Sequence, residues 1–160
     1  MSNISVDVQV DLSEFDKYVK DINRSVYAEV GILGAMTDEG ISIADYGMAH
    51  EFGVIEHNLP RRSFIKDPLE AHLGNEIIKA EKTIGRYLEA GKIEKAVGVM
   101  GYKAVEVIKK AFETENDHKW EPLSETTIKM MSENRRKGWK ILQDTGDLLS
   151  SISSKVVSND

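Results

Sequence analysis

Residues 68–113, PLEAHLGNEIIKAEKTIGRYLEAGKIEKAVGVMGYKAVEVIKKAFE, decide the fold. Leu69, Leu73, Ile77, Ala80, Ile84 and Leu88 recur every three or four residues and form one apolar stripe, the pattern of a helix with a single buried face. Pro68 suits the first turn of that helix, where a missing N–H leaves no bond unmade, and Gly91 suits its end. From Ile93 to about Glu113 a second stripe follows in Val97, Gly101, Ala104, Ile108 and Phe112. Two long stripes joined by a glycine turn predict a helical hairpin. Gly98 and Gly101 each weaken the second helix by up to about 1 kcal/mol relative to Ala, so they mark a close backbone approach or a bend.

Upstream of the hairpin, Ile4, Val6, Val8 and Val10 alternate with polar residues and predict a strand. Ser13 is placed to cap a short helix from Glu14 to Asn23, and a second strand is expected over Ser25–Leu33. The small, acidic stretch from Gly34 to Gly40 predicts a mobile loop. Ser42 caps a short helix that ends at Glu51, Phe52 and Gly53, and Pro60 keeps the following connector extended as far as Phe64. Downstream, Thr114–Lys119 is expected as a loop, Ser124 as the cap of a short basic helix reaching Arg136, Asp144–Gly146 as a turn, and Ser151–Val157 as a last strand. These elements predict one α+β domain over residues 1–160. Strands from the two ends make a small antiparallel sheet, packed with the long central helical hairpin and the short helices.

Composition narrows what such a domain does. With 41% hydrophobic and 30% charged residues in 160, the chain matches an average globular protein and is long enough for a real core. A net charge of −6 argues against general affinity for nucleic-acid phosphates. The absence of cysteine excludes disulfides and thiolate metal sites and suits synthesis in a reducing cytoplasm. The first residues lack a basic segment followed by an apolar one, so no export signal is expected, and no apolar run approaches membrane-spanning length.

No residue set makes a persuasive active site. His50 and Glu51 begin like a zinc-protease signature, but Val54 stands where the second histidine is needed, and His57 lies beyond Gly53. The group His50, Glu51, Glu56 and His57 is therefore expected as a solvated surface rather than a metal site. Asp144, Thr145 and Gly146 resemble the triplet that presents one carboxylate of an aspartic-protease dyad, so the alternative function is an aspartic-type hydrolase using Asp144 in a homodimer. The plainer reading is a turn, and Gln143 replaces the apolar residue a buried active strand needs before the triplet. Arg61, Arg62, Arg135, Arg136 and Lys137 have the chemistry to touch phosphate, as in a DNA-associated adaptor, but short charge runs on an acidic chain are expected on solvated faces. Trp120 and Trp139 are candidates for core or interface anchors.

Two separated groups of residues resemble one family. Ala49, His50, Glu51, Phe52 and Gly53, followed by Pro60, Arg61, Arg62, Ser63 and Phe64, are similar to an element of tail-component proteins from tailed phages and prophages. Trp120, Pro122, Leu123 and Thr126, then Leu142, Thr145, Gly146, Leu149, Ser151 and Ile152, resemble two further elements of the same family. In order, these span residues 44–157 with a helical hairpin between them. Arg62 and Ser63 depart from the family's more usual single arginine and second proline. The resemblance implies a non-enzymatic virion protein without cofactor, related to virion-morphogenesis and tail-completion proteins. Such a protein is made in the host cytoplasm and forms a homo-oligomeric ring at the neck or tail. Its neighbours there are the connector and the tail terminator, and DNA passes through the ring without specific binding.

Overall fold

The computed structural model describes residues 25–34, 36, 40, 42–133, 140–143 and 146–159. The expected strand at Ile4–Val10, the helix at Glu14–Asn23, and Arg135, Arg136, Lys137, Trp139, Asp144 and Thr145 lie outside the described residues. The element order is β1 (Ser25–Ile32), α1 (Ile43–Phe52), a 3-10 turn (Ile55–His57), α2 (Lys66–Glu89), α3 (Ile93–His118), α4 (Glu125–Glu133), α5 (Asp147–Ser150) and β2 (Ile152–Asn159). The fold is α+β, as expected: β1 and β2 pair antiparallel, bringing the two ends of the described chain together against a long helical hairpin with short helices around it.

The sheet pairs Ser25 with Asn159 at one end and Ile32 with Ile152 at the other. Side chains alternate across it, so Ala28, Val156 and Ser154 look toward α3, while Tyr27 opposite Val157 and Glu29 opposite Lys155 take the outer face. Gly101 permits the sheet to lie this close. A Cβ built there would stand 3.1 Å from Ala28 Cβ and 3.2 Å from Ser154 Cβ, so the glycine marks a close approach and not a bend.

The main core sits at the base of the hairpin. Phe64 packs on Phe112 and Phe112 on Trp120, both edge-to-face with centroids 5.3 and 5.7 Å apart. Ile43, Ile108, Ile141, Leu148 and Ile152 close around these rings. A smaller cluster of Ala80, Ile84 and Ala96 ties α2 to α3 farther along the hairpin.

Beyond Thr114 the chain is not an irregular loop. Glu115, Asn116, Asp117 and His118 all adopt left-handed helical geometry, with φ of 53, 51, 55 and 61°. That conformation costs about 1–2 kcal/mol per non-glycine residue and therefore needs compensation. Thr114 Oγ1 accepts from Asp117 N, His72 Nε2 meets Asp117 Oδ2 at 2.9 Å, and the reversal of hand returns Trp120 onto Phe112, eight positions back. Two further differences concern the ends of elements. The connector after Gly53 is partly a tight turn, with Val54 and Leu59 exchanging backbone hydrogen bonds of 2.9 and 3.0 Å across the 3-10 segment. Between Gly146 and the last strand lies one turn of helix, α5, too short to carry a periodic signature.

A Gly101→Val substitution is expected to destabilise the protein by about 1–3 kcal/mol through overpacking against β1 and β2. Chemical denaturation is the check.

Candidate functional site

The first turn of α2 starts from a problem common to all helices, that its leading N–H groups have no partner within the helix. Here every one is accounted for. Lys66 N donates to Glu51 Oε1 at 3.0 Å, and Asp67 N donates to Ser63 Oγ at 3.0 Å. Pro68 has no N–H, and Leu69 N reaches Ile65 O at 3.2 Å. Glu51 does more than cap. Its Oε2 also accepts from Phe64 N at 2.8 Å and Ile65 N at 3.0 Å, and its Oε1 accepts from the Ser63 hydroxyl at 2.7 Å. One carboxylate, 6% exposed, thus collects four donors at the positive end of a 24-residue helix.

This overturns the expectation of a solvated surface at His50 and Glu51. Both are buried, because Ile43, Gly47, His50 and Glu51 recur on the inward face of α1. The zinc signature has no counterpart in space, and among the described residues no group of three His, Cys, Asp or Glu could hold a metal. Nor is any described helix long and apolar enough to cross a membrane.

Arg61 and Arg62 separate into two roles, which corrects the expectation of a shared solvated face. Arg61 is exposed and pairs bidentately with Asp67 at 2.6 and 2.9 Å, a contact that holds the Asp67 carboxyl below its usual range. At side-chain exposures of 48% and 38%, that pair is worth under about 1 kcal/mol. Arg62 is 5% exposed. Its Nε donates to Glu121 O at 2.9 Å and its Nη2 to Pro122 O at 3.2 Å, while its own backbone N–H reaches His50 O at 2.8 Å. Trp120 completes the joint by donating from Nε1 to Ser63 O at 2.9 Å.

Three stretches distant in sequence therefore meet at one joint: the end of α1, the approach to α2 and the exit from α3. Gly53 belongs to it because its φ is 75° and a Cβ there would stand 2.9 Å from Arg61 N. Phe64 fills the core beside it. Leu142 borders the cleft next to the joint, Pro60 and Pro122 help to wall that cleft, and Leu123 lies between core and cleft. Thr126 is exposed, whereas its neighbour Thr127 makes the bonds, its N–H and hydroxyl both meeting Ser124 Oγ. In the last element, Leu148 is 4% exposed and Ile152 2% exposed, while Leu149 and Ser151 are half-buried. Gly146, at φ 84°, precedes α5, and Ser151 Oγ donates back to Leu148 O. Thr127 and Leu148 are residues that the sequence pattern missed, and the capping role of Ser63 was missed as well. Only Ser63, four residues before Asp67 at the start of an apolar stripe, carried a capping signal.

Phe52 stands apart. Its neighbours Glu51 and Gly53 serve the joint, yet the Phe52 ring is 65% exposed. Beside the joint opens a cleft of about 510 Å³, with apolar walls that include Tyr46, Leu59, Pro60 and Leu142 and with Arg62, Lys140 and His50 among its polar residues. The His50 ring packs edge-on to Tyr46 at 4.6 Å, and its Nδ1 is enclosed with no hydrogen-bond partner. Burial, and then the nearby Arg62 charge, lower its pKa below the ordinary 6.5. A second hollow of about 570 Å³ lies between α2 and α3, where the Lys79–Glu76 and Lys103–Glu106 pairs already match opposite charges.

Comparison of the chain with protein-family models, curated proteins and solved structures gives no match.

Two expectations follow from the joint. Glu51→Ala leaves buried N–H groups at the start of α2 unpartnered and is expected to cost about 3 kcal/mol, with Glu51→Gln, which keeps one acceptor oxygen, in between; denaturation midpoints test the order. His50 is favoured neutral in the fold, so the unfolded chain takes up its proton first as pH falls. Stability should therefore decline from about pH 6.5 downward, and His50→Gln should flatten that decline in melts taken from pH 7 to 5.

Proposed function

We propose that the chain is a structural subunit of a tailed-phage or prophage particle, completing the tail or forming the neck ring at the head–tail junction, and that it acts through shape and not through chemistry. The observation that carries this reading is the use to which the joint puts its polar groups. Glu51 is committed to four donors, Arg62 to two carbonyls and Trp120 to a third, so the residues that resemble the phage family serve to weld elements together. A buried carboxylate with four donors fixed around it supports the joint it sits in.

Exposed apolar side chains on α1 and its flank support an assembly role, since Phe52 and Ile55 at 65% and 94% exposure are surfaces that seek cover. The net charge of −6 suits a ring through which DNA slides without being held. Its neighbours in the particle would be the connector on one side and the tail terminator on the other.

Deleting the gene from the lysogen that encodes it should leave heads and tails unjoined, or tails incomplete, in negative-stain electron microscopy of induced lysates. Joined, infectious particles in undiminished number overturn the proposal.

A further inference from the structure

Helix α1 mixes polar and apolar residues on both of its faces. Its inward face carries His50 and Glu51, whereas Met48 and Phe52, one turn apart, face solvent at 56% and 65% exposure. The turn that follows adds Ile55 at 94% exposure. The backbone that bears these three side chains is tied down on both sides of Phe52. Glu51 welds the end of α1 to α2, and the paired hydrogen bonds between Val54 and Leu59 close the turn that bears Ile55. Two exposed carboxylates flank them, Asp45 on α1 and Glu56 beside Ile55.

The cleft on the other side of α1 has the complementary chemistry. Its lining is mixed, apolar at Tyr46, Leu59, Pro60, Leu123 and Leu142 and polar at His50, His57, Asn58, Ser124 and Thr127, and among the described residues its full charges are Arg62 and Lys140 against Glu121. On a chain of net charge −6 this is a cationic spot, and Arg62 reaches two carbonyls there instead of a carboxylate. One surface is thus an apolar ridge with acidic flanks, and the other a mixed trough whose lining carries one positive charge in excess.

We infer that the two surfaces bind each other between copies: the Met48–Phe52–Ile55 ridge of one chain docks in the Tyr46–Leu142 cleft of a second copy, with Asp45 and Glu56 directed at Lys140 and Arg62. Ridge and cleft are different patches, so the contact is heterologous and leaves each copy with one of them still to fill, which is the way rings and filaments grow. This deepens the ring-subunit reading and rests on it for its purpose, while the contact itself is argued from the two surfaces.

The test uses the full chain in analytical ultracentrifugation over a range of concentration at low salt. The wild type should self-associate, and Phe52→Ser should abolish that association without lowering the melting temperature, because the ring is mostly in solvent. Asp45→Lys and Lys140→Asp should each weaken association about tenfold, and an equimolar mixture of the two variants should regain it, because each offers the charge the other lacks. A wild type that stays monomeric, an association untouched by Phe52→Ser, or a mixture no stronger than its components overturns the contact. Particle assembly is a separate readout. Phe52→Ser protein that is monomeric yet restores head–tail joining in the deletion strain removes the contact from the ring and leaves the virion reading standing. Normal particles without the gene remove the virion reading and leave the contact to be judged by sedimentation alone.

Discussion

A single buried carboxylate governs how this chain is put together. Glu51 sits near the end of one helix and supplies the acceptors that the first turn of another lacks, so α1 and α2 are joined at a fixed angle by four hydrogen bonds. Burying a carboxylate is costly unless donors surround it. The helix end provides them as aligned backbone N–H groups that cost nothing further to orient, together with the favourable field of the helix dipole. Much else follows from this arrangement. Ser63 must turn its hydroxyl toward Glu51, which leaves its carbonyl to Trp120, and Phe64 is carried into the core between them.

The same constraint explains the residues around the connector. For residues 63–66 to reach back to Glu51, the chain must reverse within a few residues of Phe52. It does so by the closed turn from Val54 to Leu59, with Asn58 in left-handed geometry. That reversal lays Arg61 on Gly53 at a distance no side chain tolerates. The left-handed run at Glu115–His118 answers a matching need on the other side, returning Trp120 to Phe112 and to Ser63. Against that strain stands the burial of Trp120, 6% exposed and packed on Phe112.

The hairpin and the strands were legible because each carries a long periodic signal: the stripes on α2 and α3, and the alternation in β1. The chemical roles of His50, Glu51 and Arg62 were not. Charged residues are rarely buried, and a pattern of polar residues on a short helix reads as surface by default. Their burial depends on Lys66, Glu121 and Pro122, which are up to 60 positions from the side chains they bond and are brought near only by the folded hairpin. The left-handed turn was hidden for a similar reason. Thr114–Lys119 is polar and looks like a loop, and nothing local favours four successive non-glycine residues at positive φ. Resemblance to phage tail components selected Glu51, Gly53, Phe64 and Trp120, and each of these contributes to one joint. It did not separate Thr126 from Thr127 or Leu149 from Leu148, where a shift of one residue moves a side chain from bond or core toward solvent.

Phe52 shows what such a joint is for. Helix α1 turns His50 and Glu51 inward and leaves Met48 and Phe52 outside, and a lone surface helix of ten residues would not hold them in a defined direction. The four bonds of Glu51 change that, because they make α1 an extension of a long, well-packed hairpin. The ordering entropy of the ridge is then already lost in the folded chain, and a partner that covers Phe52 and Ile55 need supply only the contact. Rigid presentation of this kind is what the proposed contact between copies calls for: the buried carboxylate holds the helix, and the exposed ring is left to meet another surface.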